Sequence, residues 1–202
     1  MLKQRVAVLV SGGGTNLQAL LDAAAAGQLP HAEFALVISS KAGVPALERA
    51  ARRHVPAITV ARRECVDQAE FEARVLAALE EAKIDVIVLA GFLSILSADF
   101  VRRYPERILN VHPSLIPSFC GDGYYGLRVH QAALARGVKV TGATVHYVNE
   151  ITDGGRIICQ KAVAVQDDDT PESLQRRVME EAEWQLLPQA LEQVCEKLSQ
   201  EA

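Results

Sequence analysis

The 202-residue sequence has few of the features that mark an extracellular, metal-binding or membrane-spanning protein. Its four cysteines are scattered and form no CxxC pair, which argues against a structural zinc site and favours free thiols in a reducing compartment. No apolar stretch approaches the roughly 20 residues of a transmembrane helix. No signal-type apolar segment follows the first methionine. We therefore expect a cytoplasmic protein that has no metal ion and no membrane partner.

Aromatic residues and net charge are also scarce. Aromatic side chains make up 5% of the residues, so small aliphatic residues must supply most of the core. The formal net charge of −4 gives no long-range attraction to nucleic acid, which we do not expect as a partner. The chain is long enough for one domain with a substantial core and too short for two comfortable ones. We expect a single domain over residues 1–202.

The first half of the sequence alternates strand and helix patterns. Continuous apolar runs, as in Val6–Val10, are typical of strands covered on both faces. Because these strands alternate with helices, we predict a parallel sheet with helices on both sides. Strands are predicted at 6–10, 34–38, 57–60, 85–90 and 107–111, and helices at 15–26, at 47–53 and over the segment that contains Phe71, Val75 and Leu79.

The pattern changes after residue 112. A loop rich in proline, glycine and aromatics covers 113–126, and a helix is predicted at 127–136. Two β segments, 141–149 and 156–165, flank the turn Asp153-Gly154-Gly155, and a helical region that Pro188 should kink or divide begins at Thr170-Pro171. The predicted fold is therefore α/β, a Rossmann-like open and mostly parallel sheet with helices on both faces and an antiparallel addition in the C-terminal part.

A glycine loop, Ser11-Gly-Gly-Gly-Thr-Asn16, lies between the first strand and the first helix. Glycines let the backbone approach a ligand, and the free N–H groups of a helix start attract phosphate. The loop lacks the lysine of a P-loop, and Leu17 stands where a dinucleotide fingerprint needs its third glycine. A mononucleotide-sized phosphate ligand and a purely structural turn remain equally good interpretations of the loop alone.

Asn110 and His112 end a predicted buried strand, at the edge where ligands of open α/β sheets bind. Alternation along a strand places both on one side, where an amide and an imidazole can stabilise an oxyanion and protonate a leaving group. Asp153 could orient or charge a histidine, although aspartate in a glycine turn is commonplace. His146 is interpreted as a residue that completes a hydrogen-bond network rather than as a catalyst.

With these motifs the sequence resembles the phosphoribosylglycinamide formyltransferases. The resemblance spans nearly the whole chain and preserves the family order of its motifs. The matching segments are 11–17, Val88-Leu-Ala-Gly-Phe92 with Ile95-Leu-Ser97, Asn110-Val-His-Pro-Ser-Leu115, Thr144-Val-His146, Asp153-Gly-Gly155, and Glu183 followed by Pro188. Better-known members carry arginine where Ser94 stands and near Gln68, and the segment 119–126 is longer than the compact loop expected for the family.

The resemblance implies formyl transfer from 10-formyltetrahydrofolate, as co-substrate, to the amine of glycinamide ribonucleotide in purine biosynthesis. It implies no metal, and it is compatible with a homodimer. Residues 1–110 would form mainly a ribonucleotide-binding half and 111–202 a catalytic and folate-binding half. The implied residues are Asn110, His112 and Asp153 for catalysis; Gly12, Gly13, Gly14, Thr15, Asn16, Leu17 and Glu183 for the ribonucleotide; and Leu93, Ser94, Ile95, Leu96, Asn149, Glu150, Ile151 and Thr152 for folate.

In the implied chemistry, the acceptor amine attacks the formyl carbon. Asn110 and a protonated His112 stabilise the charge on the formyl oxygen, and Asp153 favours the imidazolium form. Two alternatives stay open. A formyltetrahydrofolate hydrolase would use the same residues with water as acceptor, and a non-catalytic nucleotide-binding domain would explain the glycine loop but not the Asn110–His112 pair.

Overall fold

A computed structural model describes residues 3–201 and shows one seven-stranded mixed sheet, with strand order β3-β2-β1-β4-β5-β6-β7. The first five strands are parallel, and β6 and β7 are antiparallel to their neighbours. The strands are β1 Gln4–Val10, β2 Ala32–Ser39, β3 Ala57–Thr59, β4 Val86–Leu89, β5 Ile108–His112, β6 Val140–Tyr147 and β7 Ile157–Ala164. The predicted fold class is thus confirmed.

Helices cover both faces of this sheet. They are α1 Thr15–Ala25, α2 Pro45–Arg52, α3 Gln68–Glu81, α4 Ala98–Arg102, α5 Leu127–Arg136, α6 Pro171–Val178 and α7 Trp184–Glu201, with a short 3₁₀ turn at Arg62–Glu64. Alternate residues of β1 enter two separate cores. Val6 and Val8 pack with α1 and α7, whereas Ala7 and Leu9 pack with Phe71 of α3. Burial on both faces explains why the strand sequence is apolar without interruption.

The C-terminal region differs from the prediction at Pro188. The helix α7 runs through Pro188 without ending, and the irregularity lies before it, as a π-helical turn at Met179–Glu183. The N–H of Trp184 reaches the carbonyl of Met179, five residues earlier. Pro188 has no backbone N–H, so the helical hydrogen bond to the carbonyl four residues before it, that of Trp184, is missing. The π-helical turn ends directly before Trp184, so both irregularities lie at the start of α7.

The strand order reverses between β1 and β4, because β2 lies on one side of β1 and the later strands on the other. Ligands of open α/β sheets bind at such a reversal, beyond the carboxyl ends of the strands. Here the glycine loop follows β1, the segment from Gly91 follows β4, and Asn110 and His112 end β5. The fold therefore gathers three of the sequence motifs at one edge of the sheet.

Candidate active site

A cavity of about 580 Å³ opens at this edge. It contains members of each predicted set: Asn16 and Glu183, then Leu93, Ser94 and Ile95, then Thr152, and the proposed catalytic residues Asn110, His112 and Asp153. It is also lined by Gly91, Phe92, Val111, Pro113, Gly121, Asp122, Gly123, Tyr124, Tyr125, Gly126, Gln175 and Met179. Predicted residues that are far apart in the sequence thus share one cavity.

His112 is held between a carbonyl and a carboxylate. Its Nε2 lies 2.9 Å from the carbonyl oxygen of Phe119, which can only accept, so Nε2 carries a proton. Its Nδ1 faces Oδ2 of Asp153 at 3.5 Å. In the neutral ring Nδ1 has a lone pair, and it becomes a donor to Asp153 only in the imidazolium form. The arrangement therefore stabilises His112 specifically when it is charged.

Two groups besides His112 lie against the carboxylate of Asp153. The backbone N–H of Gly121 donates to its Oδ2 at 2.9 Å, and Nε2 of His146 lies 3.5 Å from its Oδ1. The backbone of Asp153 has a φ of 54°, a left-handed conformation that aspartate tolerates better than most residues. The glycine turn thus presents the carboxylate to the two histidines, as the sequence could suggest but not show.

His146 also orients Asn110. Its Nδ1 lies 2.8 Å from the carbonyl of Tyr147, which places the proton of the neutral ring there and leaves Nε2 to accept from Nδ2 of Asn110 at 3.2 Å. Register explains the contact, because Asn110 and His146 are directly paired across β5 and β6. An amide group has two donor hydrogens, so the second hydrogen of Asn110 stays available to the cavity.

Burial and charge act in opposite directions on the titratable groups. Desolvation lowers the pKa of His112 below its usual range, although the Asp153 carboxylate and the Phe119 carbonyl raise it. Burial opposes ionisation of Asp153, but His146, the Gly121 N–H and His112 together lower its pKa. The resting site therefore contains a neutral His112 beside an ionised Asp153 near pH 7. Burial therefore outweighs the nearby carboxylate in the ligand-free site, and the protonated His112 expected during the reaction stays a prediction.

Asn16 and Glu183 form the connection between the glycine loop and the C-terminal helices. Nδ2 of Asn16 donates to Oε2 of Glu183 at 2.7 Å, and Oδ1 of Asn16 is buried without a partner among the described residues. Burial raises the pKa of Glu183 to about 7, and the Asn16 contact only partly opposes this. Glu183 ends the π turn, a type of irregularity that is frequent at functional sites.

The other predicted ribonucleotide residues contribute differently. Leu17 is fully buried in the core, so only its backbone can contact a ligand. Gly12 and Gly13 have open space where a Cβ would stand. Gly14 has a φ of 72°, and a Cβ there would come within 2.7 Å of Ala46, so this glycine is required by the fold itself. Gly14 is thus needed for the turn into α1, whereas Gly12 and Gly13 leave open space beside the loop.

Seven of the eight predicted folate residues are divided between two cavities, and Leu96 lines neither because it packs against the core that contains Phe71. Leu93, Ser94, Ile95 and Thr152 line the main cavity. Asn149, Glu150 and Ile151 instead line a separate surface cavity with Arg102 and Arg156, and Ile151 is 69% exposed. In this structure the 149–151 stretch therefore does not join the catalytic group, whereas the adjoining Thr152 and Asp153 do.

Sequence patterns gave no signal for several lining residues. Tyr124 and Tyr125 come from the loop 113–126, and Gln175 and Met179 come from α6 and the π turn. These residues adjoin no recognisable motif, and only the folding of the C-terminal region over the sheet edge brings them to the cavity.

Within residues 3–201, no group of three or more metal-ligating side chains with suitable geometry occurs. No helix of that same range is long and apolar enough to cross a membrane.

An amide donor, a buried imidazole and an ionised carboxylate at the ligand edge of an α/β sheet define an acyl-transfer type of site. Residues 4–191 match the model of the formyl transferase family, and the chain belongs to that family. It is 39% identical over 185 residues to phosphoribosylglycinamide formyltransferase of Haemophilus influenzae, a match that covers 92% of this chain and 84% of the relative.

Two further matches agree with this assignment. The structure of glycinamide ribonucleotide transformylase 1 from Symbiobacterium toebii superposes with a TM-score of 0.90 at 39% identity, covering 96% of this chain and 89% of the other. The trifunctional purine biosynthetic protein adenosine-3 of Gallus gallus is 45% identical over 193 residues, which are 96% of this chain. The chain spans only 18% of the length of that trifunctional protein.

Proposed function

We propose that the protein transfers the formyl group of 10-formyltetrahydrofolate to the amine of glycinamide ribonucleotide, as a step of purine biosynthesis in the cytoplasm. The observation that carries the proposal is the convergence of Asn110, His112 and Asp153 in one cavity with the glycine-loop residue Asn16. Formyl transfer needs an oxyanion donor and a proton carrier, and a ribonucleotide needs a phosphate-binding loop. The family assignment supports the same reaction.

The reaction begins when the acceptor amine attacks the formyl carbon and negative charge builds on the formyl oxygen. The free amide hydrogen of Asn110 stabilises that charge, and a donor in such a position contributes about 3–4 kcal/mol. The attacking amine must lose a proton and the leaving folate nitrogen must gain one, and His112 or a bound water carries the proton between them; the Asp153 contact stabilises the charged ring. The formyl carbon–nitrogen bond then breaks, and the proton passes to the leaving folate nitrogen.

In the ligand-free site, Nε2 of His112 donates a hydrogen bond to the carbonyl of Phe119. Substrate or water must replace that carbonyl before Nε2 can transfer a proton. Asp153 stays ionised, and it orients the ring through Nδ1 once the imidazolium form gives Nδ1 a proton to donate. The proposed ribonucleotide ligands are residues 12–17 and Glu183. The proposed folate ligands are 93–96 and Thr152, since 149–151 line a separate surface cavity. Because Asn16 bonds to Glu183, the ribonucleotide site draws on both halves of the chain.

The test is formylfolate consumption by purified protein with and without glycinamide ribonucleotide. We expect consumption only with the ribonucleotide and a loss of several orders of magnitude in His112→Asn. His54→Asn is the matched control, because His54 is exposed and outside the cavity. Rapid formate release without acceptor would assign a hydrolase instead, and binding of the ribonucleotide without turnover would assign a non-catalytic nucleotide-binding domain.

A further inference from the structure

The segment that follows β4, Gly91–Ser97, contains no helix or strand, and its residues 91–95 form one wall of the main cavity. It presents the side chains of Leu93 and Ile95, which are 57% and 70% exposed. An irregular segment has no repeating hydrogen bonds of its own, so its shape depends on contacts made from outside. The contacts that hold it come from two sides, the glycine loop and helix α3.

On the glycine-loop side, the backbone N–H of Leu93 donates to Oγ of Ser11 at 3.0 Å. On the other side, Glu72 of α3 receives the backbone N–H of Ser97 at 2.7 Å and the hydroxyl of Ser97. Nε2 of Gln68 donates to the same carboxylate at 2.7 Å and also to the carbonyl of Ile95 at 2.9 Å. Helix α3 therefore fixes the segment at two backbone positions.

Glu72 is 6% exposed, and no lysine, arginine or histidine nitrogen lies within 4 Å of its carboxylate in the part of the chain that the structure describes. Burying a carboxylate without a cation is costly unless hydrogen bonds replace its water. Three donors, two from Ser97 and one from Gln68, supply that replacement. A group that is this expensive to bury and bonds mainly to one segment points to a role in shaping that segment.

Ser97 is also the N-cap of α4, and its Oγ accepts the backbone N–H of Phe100 at 3.2 Å. A capping box needs a second acceptor for the N-cap backbone N–H, which is usually a Glu or Gln three residues later. Phe100 occupies that position and belongs to the core, so it cannot serve. Glu72 supplies the acceptor from another helix and so determines where the segment ends and α4 begins.

We propose that Glu72 is a positioning residue that holds Gly91–Ser97 in the shape that receives the folate. The inference rests on the proposed function, because that function assigns the folate to this wall of the cavity. Glu72 does not itself line the cavity and acts through Ser97 and Gln68. Its carboxylate faces the groove between α3 and α4, on the outer side of the segment.

The experiment compares Glu72→Gln with Glu80→Gln by steady-state kinetics in both substrates. An amide nitrogen cannot accept a hydrogen bond, so Glu72→Gln removes at least one acceptor while it preserves shape. Glu80 lies on the same helix, is exposed, and pairs with Arg103 at 3.5 Å. We expect KM for formylfolate to rise about 10-fold in Glu72→Gln, the size of one lost hydrogen bond to a charged group. KM for the ribonucleotide and kcat should stay within about twofold of the wild type and of Glu80→Gln.

Amide hydrogen exchange gives a readout that does not depend on turnover. The Ser97 amide should exchange faster in Glu72→Gln than in Glu80→Gln, while amides of β1 stay unchanged. If Glu72→Gln does not fold, Gln68→Ala is the second variant. It removes the bond to the Ile95 carbonyl together with those to Glu72 and Arg62, leaves the Ser97 bonds to Glu72 in place, and should raise KM for formylfolate alone. A wild type that transfers no formyl group would refute the proposed function. If the wild type is active, two results would overturn the positioning role. In one, either variant raises both KM values equally; in the other, it changes neither KM nor Ser97 exchange.

Discussion

Replacing Glu183 by glutamine should stabilise the protein at alkaline pH while it weakens ribonucleotide binding. Glu183 is 6% exposed, and burial raises its pKa from 4.5 to about 7. A carboxyl whose pKa is higher in the folded than in the unfolded state binds more protons when folded, between those two values. The free energy of unfolding therefore falls as the pH rises from 4.5 to 7. Glutamine carries no charge and removes this penalty.

The size of the effect follows from the pKa change. Each pKa unit corresponds to about 1.4 kcal/mol, so the penalty for the ionised Glu183 approaches about 3 kcal/mol above pH 7. At pH 5 it is less than about 1 kcal/mol, since Glu183 stays protonated in the folded protein and only the unfolded chain ionises. The stability gain of Glu183→Gln over the wild type should therefore grow from pH 5 to pH 7 and level off above it.

Urea unfolding of the ligand-free protein at several pH values measures this gain. Glu181→Gln is the matched control, because Glu181 is exposed on the same π turn and should leave the pH dependence unchanged. Ribonucleotide affinity should fall in Glu183→Gln, since its charged oxygen faces Asn16 at the cavity. A Glu183→Gln curve that runs parallel to the wild type from pH 5 to pH 8 would show that Glu183 does not titrate as described.

Three further outcomes are expected. Asp153→Asn should lower kcat by orders of magnitude and lower the pKa of His112 still further, while ribonucleotide binding is spared. Adding His112→Ala to Asp153→Asn should cost little more in kcat, and strictly additive losses in this double-mutant cycle would show that the two residues act independently. Gly14→Ala should destabilise the fold because of Ala46, whereas Gly13→Val should leave thermal stability nearly unchanged and weaken ribonucleotide binding, so equal stability losses would contradict the assigned roles. Extensive chelator treatment should leave formyl transfer unchanged, and activity restored by one divalent metal would refute a metal-free mechanism.

The apolar runs and their spacing were sufficient to predict the sheet and its parallel half. A strand such as β1 is buried on both faces, and this requirement is visible in five consecutive residues. Strand alternation likewise predicts that Asn110 and His112 share one side; both line the cavity, as does Val111 between them. The antiparallel pair around Asp153 was also correctly predicted, because β segments on either side of a glycine turn favour adjacent strands. These features depend on local pattern, which a sequence displays directly.

Contacts between distant segments required the tertiary structure. The sequence suggested Asp153 as a partner of His112, but the 3.5 Å approach, the Gly121 N–H and the Phe119 carbonyl depend on how two loops fold over β5. The neutral state of His112 depends on its burial, which no neighbouring residue in the sequence reveals.

Other roles also became visible only when separate helices and loops met. Glu183 was assigned by resemblance, but its raised pKa and its bond to Asn16 arise where the C-terminal helices meet the glycine loop. No sequence motif marks Glu72, and its proposed role follows only from the packing of α3 against Ser97. Sequence pattern determines which strands and helices form and which sides of them are polar. Desolvation and hydrogen-bond partners arise from the packing of distant segments, so the charge states and the positioning contacts of the site were decided by the fold.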